Sequence, residues 1–300
     1  MAKKKFYRPI LYGALLTLKA VFFILPFQLT KAFAGWLGSL TFDLLPKEQK
    51  KVLEHLRIAF PDKTEAELKR IGKENFRNYG HTLAELAMLE KLMPKFHKII
   101  RVEGKEYFDE ALAQKKGIVA VSAHFGNWEI LAGALSLMGY PGSVVAKRIY
   151  YEPYNRLLVG VRNKMGLQTI YRDESARDVV RALKENRVLG ILADQDVEEV
   201  DGVFVNFFGK NAYTPSAPVK LAMKFDAPLI LCFVIREKGL NHRIFIEKPI
   251  ELQKSGDEAA DVVANTQKWV SIQEAYIRRY PHLWVWNHKR WKTVKKDKVD

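Results

Sequence analysis

Ser122-Ala123-His124-Phe125-Gly126-Asn127-Trp128-Glu129-Ile130 decides the fold. The run before it, Gly117 to Val121, is short, apolar and rich in β-branched residues, the pattern of a buried strand. The run after it, Ile130 to Met138, is apolar with small residues and no proline, and predicts a buried helix. His124 therefore falls between a strand end and a helix start. Open α/β sheets form their sites at the carboxyl ends of strands.

That position carries chemistry. The positive end of a helix dipole favours a neutral, basic imidazole. Glu129, five residues on and about one turn into the helix, is placed to accept a hydrogen bond from one ring nitrogen. The other nitrogen is then free to take a proton from a substrate hydroxyl. The first-turn amides, with Gly126 leaving the backbone open, could hold an oxyanion. The plainer alternative is that His124 caps the helix and Glu129 complements its dipole.

Working outward toward the C-terminus, strands and helices alternate. Ser143 to Ala146 reads as a strand ending at Lys147-Arg148, and Glu152 to Met165 as a helix carrying Arg156 and Arg162. Gln168 to Tyr171 is a strand ending at Arg172, and Ser175 to Glu185 a helix with Ser175 as N-cap. Arg187 to Leu192 is a strand ending in Ala193-Asp194-Gln195-Asp196. Alternation implies a mainly parallel central sheet flanked by helices. Its strand ends then gather His124, a cationic cluster and carboxylates around one crevice. Lys147 and Arg148 are equally well read as solvated loop charges, and Asp194 and Asp196 as turn formers.

Val197 to Lys210 reads as a loop whose run Gly202 to Gly209, with Phe204, Phe207 and Phe208, lines an acyl pocket or forms an edge strand. Thr214-Pro215 predicts a helix start. Pro228 to Ile235 and Arg243 to Glu247 are neighbouring strands, and Asp257 to Tyr280 is a long helix. The tail from Arg278 to Lys292 interleaves Trp284, Trp286 and Trp291 with cations. That suits a membrane interface, single-stranded nucleic acid, or a closing segment with its indoles in the core.

Toward the N-terminus, Lys47 to Phe60 and Thr64 to Leu92 are helical, with Thr64 and Glu67 as a capping box. Ile99 to Glu103 is a strand and Lys105 to Gln114 a helix. Before them lie Lys3, Lys4, Lys5 and Arg8, an apolar run from Ile10 to Phe27 broken only by Lys19, and a second from Ala32 to Leu45. A signal peptide ending at Ala32-Phe33-Ala34 is opposed by Lys19 and by the length. The expected organisation is a membrane-anchoring helical segment over 1–45, spanning or lying in one leaflet, a catalytic domain over 46–293, and a flexible tail over 294–300. An ordinary buried helix pair is the soluble alternative.

The chain has 300 residues, 48% hydrophobic, which excludes disorder. Its net charge of +15 suits an anionic partner. Cys232 is the only cysteine, which excludes an intrachain disulfide and a cysteine-based metal site.

The ordered set His124-Phe-Gly-Asn-Trp-Glu129, Lys147-Arg148, Asn155-Arg156-Leu157-Leu158 with Arg162, Ala193-Asp194-Gln195-Asp196, Val203 to Gly209 and Trp284 to Lys292 resembles the bacterial lipid A late acyltransferases. These are a branch of the lysophospholipid acyltransferase superfamily with its H-x4-[DE] motif. Ala59-Phe60-Pro61, then Phe76, Asn78, Tyr79 and Glu85, continue the likeness, which covers about residues 40 to 293. Ile149-Tyr150-Tyr151-Glu152-Pro153 departs from the family's Arg-Pro and asparagine pattern. The resemblance implies transfer of a fatty acyl chain from an acyl carrier protein thioester to a hydroxyl of a lipid A precursor, in lipopolysaccharide biosynthesis. His124 would be the base and Glu129 its orienter. Arg148 and Arg162 would bind phosphate or carboxylate groups and Asp194 would support the cleft, with Lys147 and Gln195 completing the substrate-binding set. It implies no metal or organic cofactor. The partners it implies are acyl carrier protein, a phosphorylated glycolipid acceptor and an anionic membrane surface, without nucleic acid, at the cytoplasmic face of the inner membrane. Two alternatives stay open: another glycolipid or aminolipid acceptor, and a basic lipid- or nucleic-acid-binding protein with a structural His124.

Overall fold

The computed structural model describes residues 7–173 and 176–294. Four helices come first: α1 (Tyr7–Ile24), α2 (Phe27–Leu44), α3 (Pro46–Ala59) and α4 (Glu65–Ala87), then two single turns, α5 (Leu89–Leu92) and α6 (Phe96–Ile99). The α/β part follows as β1 (Ile100–Glu103), α7 (Lys105–Ala113), β2 (Ile118–Ser122), α8 (Trp128–Leu137), β3 (Gly142–Ala146), α9 (Glu152–Lys164), β4 (Gln168–Tyr171), α10 (Ala176–Lys184) and β5 (Val188–Leu192). A hairpin, β6 (Gly202–Phe207) and β7 (Lys210–Pro215), leads to α11 (Ala217–Phe225), β8 (Leu229–Arg236), β9 (His242–Ile246) and α12 (Glu258–Arg279).

Seven strands form one sheet in the order β1-β9-β8-β2-β5-β3-β4. Every pairing in it is parallel except β8 with β9. Strand side chains alternate between faces, and both faces are covered, so each strand serves two cores. Val119 and Val121 of β2 and Leu229, Leu231 and Phe233 of β8 join the core that includes α3, α11, α12 and the C-terminal tail. Ile118 and Ala120, with Ile230, Cys232 and Val234, join the core that includes α5, α7 and α8. Helices on both faces of a mainly parallel sheet are what the alternating pattern predicts.

The N-terminal helices attach by close packing. A side chain at Gly38 would meet the Phe76 carbonyl oxygen at 2.2 Å, and one at Gly80 the Ala34 carbonyl oxygen at 1.9 Å, so α2 and α4 cross nearly backbone to backbone. Thr64 closes the expected capping box with Glu67 at the start of α4.

One expectation needs correction, and two open choices are decided. Thr214 and Pro215 finish β7 rather than start a helix, and α11 begins after Ser216. The Phe204–Phe208 run is not a pocket wall. Phe207 and Phe208 are buried in the core, and Phe204 packs on Tyr213 across the hairpin. The tail indoles of Trp284 and Trp286 are fully buried, so those two do not face a membrane or a nucleic acid. In each case a two-stranded pairing or a core contact, invisible to local periodicity, sets the outcome. Ser175 and residues 295–300 of the expected tail lie outside the described residues.

Candidate active site

Strand register builds the site. β2 and β5 are parallel neighbours with Ser122 opposite Leu192. Two residues beyond that pair, His124 faces Asp194, and the two side chains meet. His124 Nδ1 lies 2.7 Å from Asp194 Oδ1, and the His124 backbone N–H donates to Asp194 Oδ2 at 2.9 Å. Trp284 Nε1 donates to the same Oδ2 at 2.8 Å. Asp194 is 1% exposed. Burial alone would raise its pKa, but the charge and hydrogen bonds of His124 outweigh burial and hold the carboxyl well below its ordinary range. An ionised Asp194 accepts the Nδ1 proton, which leaves Nε2 as a hydrogen-bond acceptor.

The loop that carries His124 is clamped on several sides. Gly126 has φ +61°, and a side chain there would strike the Val234 carbonyl oxygen at 2.2 Å. Its N–H donates to Leu283 O, and Val285 N–H donates to His124 O, so the tail segment runs along the motif. Asn127 caps α8 by accepting from Ile130 N–H, while its Nδ2 donates to Glu85 Oε2 at 2.9 Å. Arg236, at the end of β8, donates to both oxygens of Glu85 at 2.6 and 2.7 Å. Glu85, fully buried, stays ionised because the charges of Arg236 and His242 overcome its burial.

Glu129 stands elsewhere than expected. It occupies the first turn of α8 and accepts from Arg162 of α9 at 2.6 and 2.9 Å, a buried two-pronged ion pair. Its two oxygens are thus engaged by Arg162, and the ring nitrogen assigned to it is engaged by Asp194. The positive φ at Gly126 turns the chain between the two motif residues. Arg162, expected to bind a substrate anion, spends its guanidinium on Glu129.

Gln195 Nε2 lies 3.4 and 3.2 Å from the two ring nitrogens of His124. A contact so nearly equidistant rests on the ring face, since an in-plane approach would overlap the carbon between the nitrogens. Trp128 meets the ring edge-on at 4.9 Å and His288 at 4.8 Å. Burial lowers the His288 pKa to about 4, so it is neutral beside His124 at neutral pH.

A cavity of about 1370 Å³ opens over this group. His124, Trp128, Glu129, Lys147, Arg162 and Gln195 line it. It exceeds the roughly 300–1,000 Å³ of pockets for drug-sized ligands. Lys147 reaches it from the end of β3. Arg148 packs its guanidinium over the Tyr171 ring at 4.0 Å and lies 3.8 Å from Glu152. A second, mainly apolar pocket of about 80 Å³ adjoins it, sharing Trp128, Glu129 and Arg162 and bordered by Leu135, Gly190 and Cys232. Among the described residues no group of three or more His, Cys, Asp or Glu is arranged to hold a metal ion. Sequence reasoning named Trp284, and His288 within the run Trp284 to Lys292, but gave neither a place beside His124, and it did not single out Arg236. Their signal was a tail and a strand end whose neighbours only the folded sheet reveals.

A strand-end histidine held by a buried carboxylate thus stands on a cavity large enough for lipid chains. The model of the bacterial lipid A biosynthesis acyltransferases matches residues 2–293, and the chain belongs to that family. It is 26% identical over 277 residues to the lipid A biosynthesis palmitoleoyltransferase of Escherichia coli K12, and 25% identical over 279 residues to that organism's lauroyltransferase. Each alignment covers 90% of this chain and 87% of the relative. It is 30% identical over 188 residues to the phosphatidylinositol mannoside acyltransferase of Mycolicibacterium smegmatis, covering 60% of this chain and 59% of the relative. The protein is an acyltransferase of lipid A or glycolipid biosynthesis.

Proposed function

We propose that the protein transfers a fatty acyl chain from an acyl carrier protein thioester to a hydroxyl of a lipid A precursor, at the cytoplasmic face of the inner membrane. The observation that carries the reading is His124, its Nδ1 held by Asp194, on a cavity of lipid size. The acceptor hydroxyl gives its proton to His124 Nε2 while its oxygen attacks the thioester carbonyl. The tetrahedral oxyanion is held by backbone amides at the start of α8. Of these, Gly126 N–H is already bonded to Leu283 O and Ile130 N–H to Asn127 Oδ1, so the task falls to the amides between them. Collapse breaks the C–S bond, and His124 returns the proton to the leaving sulfur. Asp194 stays ionised and stabilises the imidazolium that forms in between.

Lys147 at the cavity wall is a natural partner for acceptor phosphate. The Glu129–Arg162 pair lines both the main cavity and the small apolar pocket, which takes the far end of the acyl chain. Names of the relatives, palmitoleoyl- and lauroyltransferases, support a donor of fatty-acyl type.

The test is acyl transfer by solubilised full-length protein, with carrier thioesters of several lengths and an acceptor panel that includes a lipid A precursor. Product on that precursor, lost in a folded His124→Ala variant, is expected. Product on another glycolipid alone would keep the chemistry and change the acceptor. Near-normal transfer by His124→Ala would remove the base.

A further inference from the structure

Among the described residues one helix, α1, is long and apolar enough to cross a membrane. Its contacts make it something else. Along one face, Arg8 lies over the Tyr150 ring at 4.5 Å. Tyr12 meets Tyr151 at 6.0 Å and Tyr154 at 5.4 Å. Lys19 sits 3.6 Å from Glu90 of α5, and Phe22 is 1% exposed in the core. From Arg8 to Phe22 that face runs about 21 Å, nearly the whole helix, against the body of the protein. A helix crossing a bilayer must leave the domain along its length, and this one does not. Lys19, the one charge inside the apolar run, does not need to reach up to headgroups, because its partner is on the domain.

The opposite face is apolar and bare. Ile10 is 74% and Ile24 81% exposed, with Leu11, Val21 and Leu25 between or beside them. The surface continues onto α2 through Phe33, which touches Phe22 at 6.4 Å and Trp36 at 5.9 Å. Leu29, Phe33 and Trp36 are exposed there. Residues 7–42 include Arg8, Lys19 and Lys31 but no carboxylate, and Lys3, Lys4 and Lys5 precede them. Apolar surface with aromatic residues and only positive charge fits an anionic leaflet.

We infer that α1 and α2 form a monotopic docking face. On this inference α1 lies in the plane of one leaflet of an anionic bilayer and does not span it. The tyrosines that strap α1 down stand at the start of α9, whose Asn155 and Leu158 line the main cavity, so the cavity wall borders the leaflet. The inference deepens the membrane reading above, on which it rests, and is independent of the acyl-transfer chemistry.

The test is depth. Ile10→Cys, Thr17→Cys and Ile24→Cys fall at seven-residue spacing on the exposed face, and the native Cys232 is buried. Each full-length variant is labelled with an environment-sensitive fluorophore and added to phosphatidylethanolamine–phosphatidylglycerol vesicles carrying quenchers at graded depths. The expected result is one depth for all three positions, about 5–10 Å below the headgroup boundary. If position 17 lies about 10 Å deeper than 10 and 24, α1 spans. That overturns the inference and leaves membrane attachment standing. Quenching at none of the positions overturns both, whatever the acyl-transfer assay gives.

Discussion

Asp194 and Glu129 are two buried carboxylates, one behind His124 and one in the cavity wall, and they hold different partners. Asp194 comes from the end of β5 and holds His124. Glu129 comes from the first turn of α8 and holds Arg162. Glu129 is close to His124 in sequence, and Asp194 is 70 residues away. Register, not spacing, decides which carboxylate meets the imidazole. In the proposed chemistry the Asp194–His124 pair aligns a base, whereas the Glu129–Arg162 pair fastens α8 to α9 and lines both cavities.

Replacing each carboxylate should therefore break different things. Asp194→Asn should produce the larger loss. The amide cannot stabilise an imidazolium and can favour the wrong tautomer, so kcat should fall about a thousandfold with KM little changed. Steady-state kinetics on the folded variant check this. The same substitution should flatten the acid limb of stability. Asp194 has a folded pKa below its unfolded value of about 3.9, so its contribution is full at neutral pH and is lost as pH falls below about 4. Urea unfolding at stepped pH reads it directly.

Glu129→Gln should act mainly on stability. It leaves the Arg162 guanidinium buried without its charge partner, a loss of roughly 3 kcal/mol. In a chain of this size that lowers Tm by roughly 5–10 °C. Replacing Glu129 and Arg162 together by apolar residues should recover part of it, and a double-mutant cycle by calorimetry measures the coupling. A Glu129→Gln protein of native Tm would break the contrast.

The smallest effect sharpens the comparison from the Asp194 side. Trp284→Phe keeps the buried ring and deletes one donor to Asp194. Two bonds from His124 remain, so kcat should fall only about tenfold, equivalent to a charged hydrogen bond of roughly 1.5 kcal/mol. A wild-type rate would mean that the indole serves packing alone.

The sequence made much of the fold legible. Local patterning located β2, α8, β3, α9, β4 and β5, because β2, β3 and β5 are short apolar runs and the helical segments between strands are longer. It could not order those strands, since neighbours in a parallel sheet are joined by crossovers and not by turns. The same limit hid the site's main contact. Asp194 was visible as a strand-end carboxylate, but its partner depended on β5 lying beside β2. The β6–β7 hairpin stayed open between a pocket wall and a strand because its phenylalanines suit either by composition, while their burial comes from the tail and α12. Trp284 shows the reverse case: an aromatic-basic tail suggests a surface by composition, yet its indole reaches a buried carboxylate.

The most direct measurement is the nitrogen and proton NMR of the His124 ring in protein labelled at histidine, compared among wild type, Asp194→Asn and Glu129→Gln. A strongly hydrogen-bonded Nδ1 proton should be present in wild type, persist in Glu129→Gln and vanish or move far in Asp194→Asn. A signal that survives Asp194→Asn and disappears with Glu129→Gln would contradict the account and return the orienting role to the motif glutamate.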